Sequence, residues 1–77
     1  MSRLFTDGNL LTWEAFVSTG PFGLPERSKI VFNCLSDAGR RARFVEEEGD
    51  AADAQRRVLE LSDTELKGLL EGSRELG

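Results

Sequence analysis

At residues 45 to 50, VEEEGD, the spacing of apolar side chains changes from every second residue to every third or fourth, which restricts the chain to one fold class. Before this point Leu11, Trp13, Ala15 and Val17 alternate with Leu10, Thr12, Glu14, Phe16 and Ser18, and Ile30, Phe32 and Cys34 alternate with Lys29, Val31, Asn33 and Leu35. Period-two stretches of this kind are strands with one face toward a core. After it, Ala51, Ala54, Val58 and Leu61, then Leu66, Leu69 and Leu70, fall at helical spacing. Strands followed by helices predict a single α+β domain: a four-stranded antiparallel β-meander over residues 1–46, then two short helices within 50–75 packed on one sheet face.

The turns define the expected register. Asp7-Gly8 is the dipeptide favoured by a two-residue type I′ hairpin, and as the loop it sets Phe5 opposite Leu10 and Leu4 opposite Leu11. Asp37-Ala38-Gly39 reads as a three-residue connection with Gly39 in the left-handed position, which sets Cys34 opposite Ala42 and Phe32 opposite Phe44. Slipping that pairing by one residue would turn arginines toward the core face. For the helices, Asp50 is an N-cap for residues 51 to 60. Ser62 with Glu65 forms a capping box for a helix from Asp63 to about Arg74, and Leu61 and Leu66 are spaced as a hydrophobic staple.

On this register the helices cover Leu11, Trp13, Ala15, Val17, Ile30, Phe32, Cys34, Ala42 and Phe44. The opposite face then carries Phe5, Leu10, Phe16, Val31, Leu35 and Val45 among Thr12, Glu14, Asn33 and Arg43, more apolar surface than a monomer usually leaves in water. Between the second and third strands, TGPFGLPERS (residues 19 to 28) places Phe22 and Leu24 beside Pro21 and Pro25. Those two side chains either plug the second face or join it as an interface.

Size and composition narrow the function. Seventy-seven residues with 39% hydrophobic and 31% charged side chains suit one small globular domain. No apolar run reaches the roughly 20 residues of a membrane span, and MSRLFTDGN lacks the apolar core of a signal peptide, so the expected location is the cytoplasm. The chain has no histidine and one cysteine, Cys34, which removes the commonest general base and any CxxC framework. No catalytic residue, cofactor or metal is expected. Residues 1 to 44 hold six basic and four acidic side chains, and residues 45 to 77 hold four and ten. Halves of opposite charge attract each other, and the net charge of −4 disfavours nucleic acid as a partner.

Three short stretches resemble functional motifs and are read more simply. EEEGDAAD, residues 46 to 53, lacks the alternating spacing that wraps a calcium ion and reads as a solvated turn before a helix. GRRAR places Arg41 and Arg43 on one strand face, where they could grip a phosphate or a partner's carboxylate; the simpler reading is a charged edge strand. GPFGLPERSK lacks the GxxxxGK[ST] order of a phosphate loop. What remains is a small non-catalytic protein-interaction module that binds another protein or forms a homodimer. Its expected contact residues are Phe5, Leu10, Phe16, Phe22, Leu24, Val31, Arg41 and Arg43. The alternative is an acidic regulator that presents C-terminal carboxylates to a basic partner, such as a DNA-binding protein. Salt separates the two, since a carboxylate surface weakens as ionic strength rises and an apolar one does not.

Overall fold

The computed structural model describes residues 2–18, 28–47 and 49–75. Its elements in chain order are β1 (Ser2–Thr6), β2 (Thr12–Ser18), β3 (Ser28–Cys34), β4 (Arg43–Glu47), α1 (Ala51–Glu60), α2 (Asp63–Glu71) and β5 (Arg74–Glu75). The strands form one antiparallel sheet in the order β1-β2-β3-β4-β5. The α+β meander with two helices on one face is therefore present, with a fifth strand, beyond the four expected, that begins where the sequence reading ends the second helix.

The helices begin where their capping residues stand. The Asp50 side chain accepts from the Asp53 amide at 2.9 Å, and Ala54 and Val58, four apart on α1, are buried. At α2 the Ser62 hydroxyl accepts from the Glu65 amide at 3.2 Å while the Glu65 carboxylate accepts from the Ser62 amide at 3.1 Å, the reciprocal pair of a capping box. The Ser62 amide, which donates to the Glu65 carboxylate, and the Ser62 hydroxyl beside it favour the charged form, so the Glu65 pKa lies below its ordinary value, against a small opposing effect of burial and with help from Arg57. Leu61 and Leu66 both join the core, as the staple requires. The helix stops at Glu71, three residues early. Gly72 bonds back to the Gly68 carbonyl, the Ser73 hydroxyl donates to the Leu70 carbonyl, and the next two residues pair with β4.

One face of the sheet and the apolar faces of both helices enclose the core. Ile30 and Phe32 on the central strand are 0% exposed, flanked by Trp13, Ala15 and Cys34 and covered by Val58, Leu66 and Leu70. Phe5 belongs here too, its ring edge-on to Phe32 with centroids 5.9 Å apart. The helical layer is tied to the edge of the sheet by Arg3. Its guanidinium donates to the carbonyls of Leu61 (2.7 Å), Leu59 (3.3 Å) and Val58 (3.4 Å), and pairs with Asp63 at 2.7 Å. A cation thus closes the carbonyl end of α1, where the helix dipole favours it.

Both hairpin registers differ from expectation, and side-chain hydrogen bonds are the reason. Phe5 pairs with Trp13 and Thr6 with Thr12, so the first turn is wider than Asp7-Gly8 alone. The Leu10 amide bonds the Asp7 carbonyl at 3.2 Å, the Asp7 amide bonds the Leu11 carbonyl at 2.9 Å, and Leu10 takes φ +64°. This is a three-residue loop with a bulge, in which Leu10 occupies the left-handed position usually given to glycine. The Asp7 carboxylate holds it by accepting from the amides of Asn9 and Leu11. The pairing shifts by three residues, an odd number, so Phe5 moves from the second face to the core. Leu10 no longer opposes Phe5.

At the second hairpin Val31 pairs with Phe44 and Phe32 with Arg43, a slip of one residue from the expected pairing. The reason lies after Cys34, where the chain stays with β2: the Leu35 amide bonds the Thr12 carbonyl at 2.8 Å and the Ser36 hydroxyl accepts from the Thr12 amide at 2.8 Å. The turn that follows is closed by the Arg40 amide on the Asp37 carbonyl, and Gly39 does not adopt positive φ. Phe44 consequently faces away from the helices. Val45 takes a place against the core, and Arg43 lies on the core side without being buried among apolar groups, because Ser73 and Glu75 receive it. Ala42 stands outside the strands. Nor is β4 a free edge, since β5 covers part of it.

Phe32→Ala should lower stability by about 3 to 5 kcal/mol through lost burial and the cavity it leaves. Denaturant titration reads this directly, and a loss below about 1 kcal/mol would place Phe32 outside the core. Ser62→Ala should cost about 0.5 to 2 kcal/mol, read by the same titration, while the sheet is retained.

Candidate functional site

The strand pairings build one continuous row across the face opposite the helices: Ser2, Phe16, Val31, Phe44 and Arg74, one residue from each strand. Adjacent rows carry Leu4, Glu14 and Asn33 on one side and Ser18, Lys29 and Glu46 on the other. The centre of this face is apolar and its borders are charged. Val31 is only 6% exposed, Phe16 and Phe44 are half-buried, and Leu4 is 56% exposed. The Lys29 ammonium stands 5.4 Å from the centre of the Phe44 ring, a cation–π contact that fixes the aromatic face toward the basic border. Beside it, a shallow depression of about 350 Å³ is lined by Phe44, Val45, Glu46, Gly72 and Arg74. Among the described residues neither helix contributes to this side, because the buried residues of both belong to the core.

Of the expected contact residues, Phe16 and Val31 lie in this row. Phe5 is in the core, and Leu10 is separate, 85% exposed at the tip of the first turn. Phe22 and Leu24 lie outside the described residues; of the 19–28 loop only Ser28 is described, buried at the start of β3. Leu4 and Phe44 are members of the face that the sequence reading assigned elsewhere. The available signal for Phe44 was its neighbour: Arg43 and Phe44 alternate, so an arginine with a polar partner on the core side sends the phenylalanine outward.

Arg41 and Arg43 are brought near a second depression, of about 250 Å³, lined by Asp7, Trp13, Arg40, Arg41, Arg43, Leu70, Glu71 and Glu75. Arg43 is already occupied: its guanidinium donates to the Ser73 hydroxyl at 2.7 Å and to the Ser73 carbonyl, and lies 3.9 Å from Glu75. It fastens β5 to β4. Arg40 pairs with Asp37 at 3.5 Å, whereas Arg41 is exposed and forms no ion pair among the described residues. Three carboxylates line the depression with the three guanidinium groups, so it holds no net positive charge for a phosphate. Cys34 is buried, and among the described residues no group of metal-ligating side chains converges.

At the border of this depression Asp7 also accepts from Trp13 Nε1 at 2.8 Å. Burial pushes its carboxyl up, but the hydrogen bonds from Trp13, Leu11 and Asn9, with Arg40 nearby, outweigh that and hold the pKa below the ordinary aspartate value. A lowered pKa in the folded state contributes stability that is present above the unfolded value and is lost as pH falls through the folded one. Asp7→Asn should therefore flatten the fall in stability below about pH 4, with tryptophan fluorescence as the local probe. Equal pH dependence in wild type and variant would remove Asp7 as a contributor. Comparison with known families, curated proteins and solved structures finds no match for the chain.

Proposed function

We propose that the chain is a small non-catalytic protein-interaction module that works in the cytoplasm and binds another protein through the sheet face away from its helices. The observation that carries this reading is the Phe16–Val31–Phe44 row, apolar at its centre and bordered by Lys29, Glu46, Glu14 and Arg74. Aromatic side chains in a charged frame are the composition of binding hot spots: the apolar centre supplies affinity and the rim selects orientation. The absence of histidine from the sequence and the burial of its one thiol add to the case against catalysis. Among the described residues no helix is long and apolar enough to cross a membrane.

The partner is expected to bring an apolar segment, and its binding should change little with ionic strength, in contrast to a basic partner held by the acidic C-terminal half. Affinity capture with the tagged chain should recover a partner that Phe16→Ser and Phe44→Ser both lose while circular dichroism shows an unchanged fold. Capture that survives both substitutions, or that disappears when salt is raised to about 0.5 M, would defeat the apolar-face reading.

A further inference from the structure

The two edges of the sheet are treated differently. β5 is a two-residue strand that seals part of β4, whereas β1 is a continuous five-residue strand with no neighbour on its outer side among the described residues. Which of its backbone groups face outward follows from the first turn. The Asp7 amide bonds the Leu11 carbonyl across the hairpin, and in an antiparallel ladder the groups of successive residues alternate between inward and outward. Phe5 and Arg3, two and four residues earlier, therefore point their amides and carbonyls at β2. Ser2, Leu4 and Thr6 present theirs to the open edge.

This edge lacks most of the devices that normally prevent pairing. It has no proline and no lysine, and its register with β2 runs without a bulge. An inward-turned charge is one such device, but the one charge here, Arg3, is already satisfied by the carbonyl end of α1 and by Asp63 and so leaves the backbone edge to pair. An exposed apolar side chain stands on it instead: Leu4, 56% exposed, lies on the face of β1 away from the helices.

We propose that β1 is a self-association edge, which pairs antiparallel with β1 of a second copy about a two-fold axis through Leu4. That axis is the one that matches the edge to itself. Leu4 then opposes Leu4 of the second copy as a hydrogen-bonded pair, Ser2 opposes Thr6, and the three outward-facing residues of each copy are all satisfied. No like charges are opposed along the strand. The sheet becomes continuous through both copies, the helical layers lie side by side on one face, and the two Phe16–Val31–Phe44 rows lie on the other. The proposal extends the interaction-module reading from the sheet face to the sheet edge; Leu4, at the border of that face, belongs to both, whereas Phe16 and Phe44 belong to the face alone.

Sedimentation equilibrium tests it through charge at position 4. Wild type should show concentration-dependent dimerisation; Leu4→Lys and Leu4→Glu alone should each weaken it by about tenfold or more, because the axis sets each new charge against its own copy. An equimolar mixture of the two variants should associate again, since the opposed charges are then complementary. That recovery separates a broken contact from a damaged fold. A wild type that stays monomeric up to about 1 mM overturns the proposal, as does a dimer insensitive to both substitutions. So does a mixture that associates no better than its components. Partner capture through Phe16 and Phe44 is read independently and can fail while the dimer persists.

Discussion

Two helices of ten and nine residues can cover only one side of a five-stranded sheet, and the alternation of side chains along β3 decides what lies on each side. Ile30, Phe32 and Cys34 point to the helices and Val31 points away. The neighbouring strands are bound to that choice by their registers, since a shift of one residue exchanges the faces of an entire strand. The core at Phe32 and the row through Val31 on the opposite face are thus two results of one pairing pattern.

Much of this was legible in the residues. The capping box at Ser62 and Glu65 and the N-cap at Asp50 are local chemistry, written within four residues, and they stand where the sequence places them. Strand faces in β2 and β3 follow from alternation over seven-residue stretches. Registers were less legible, because they depend on which backbone groups the turn side chains claim. Asp7 takes amides from Asn9 and Leu11, and Ser36 takes the amide of Thr12 from across the sheet, interactions that a dipeptide signal such as Asp-Gly does not contain. Phe5, Phe44 and Val45 changed sides for that reason. Likewise β5 depends on Arg43 meeting Ser73 across 30 positions of sequence, a contact no local pattern records.

The candidate surface was legible as a kind rather than as a residue list. Excess apolar character on a second face follows from composition and alternation alone, but its membership follows from register. The arginines show the same division. Their clustering is visible in GRRAR, whereas their separate roles, Arg43 holding a strand, Arg40 on a turn carboxylate and Arg41 in solvent, come from tertiary neighbours.

Arg3 has a consequence for how the domain opens. The groups it holds lie 55 to 60 positions away along the chain, so its contacts close by far the longest loop of any polar contact described for this fold. Loop closure over such a distance is entropically unfavourable and is favoured late, after nearer hairpins have formed. The reverse path begins at the same place. When β1 lifts from the sheet edge, Arg3 leaves with it and α1 loses the cation on its last carbonyls, so strand and helix end are released as one event. The outer edge of β1 and the carbonyl end of α1 form a single seam, and whatever seats a neighbour against β1 holds that seam shut from outside.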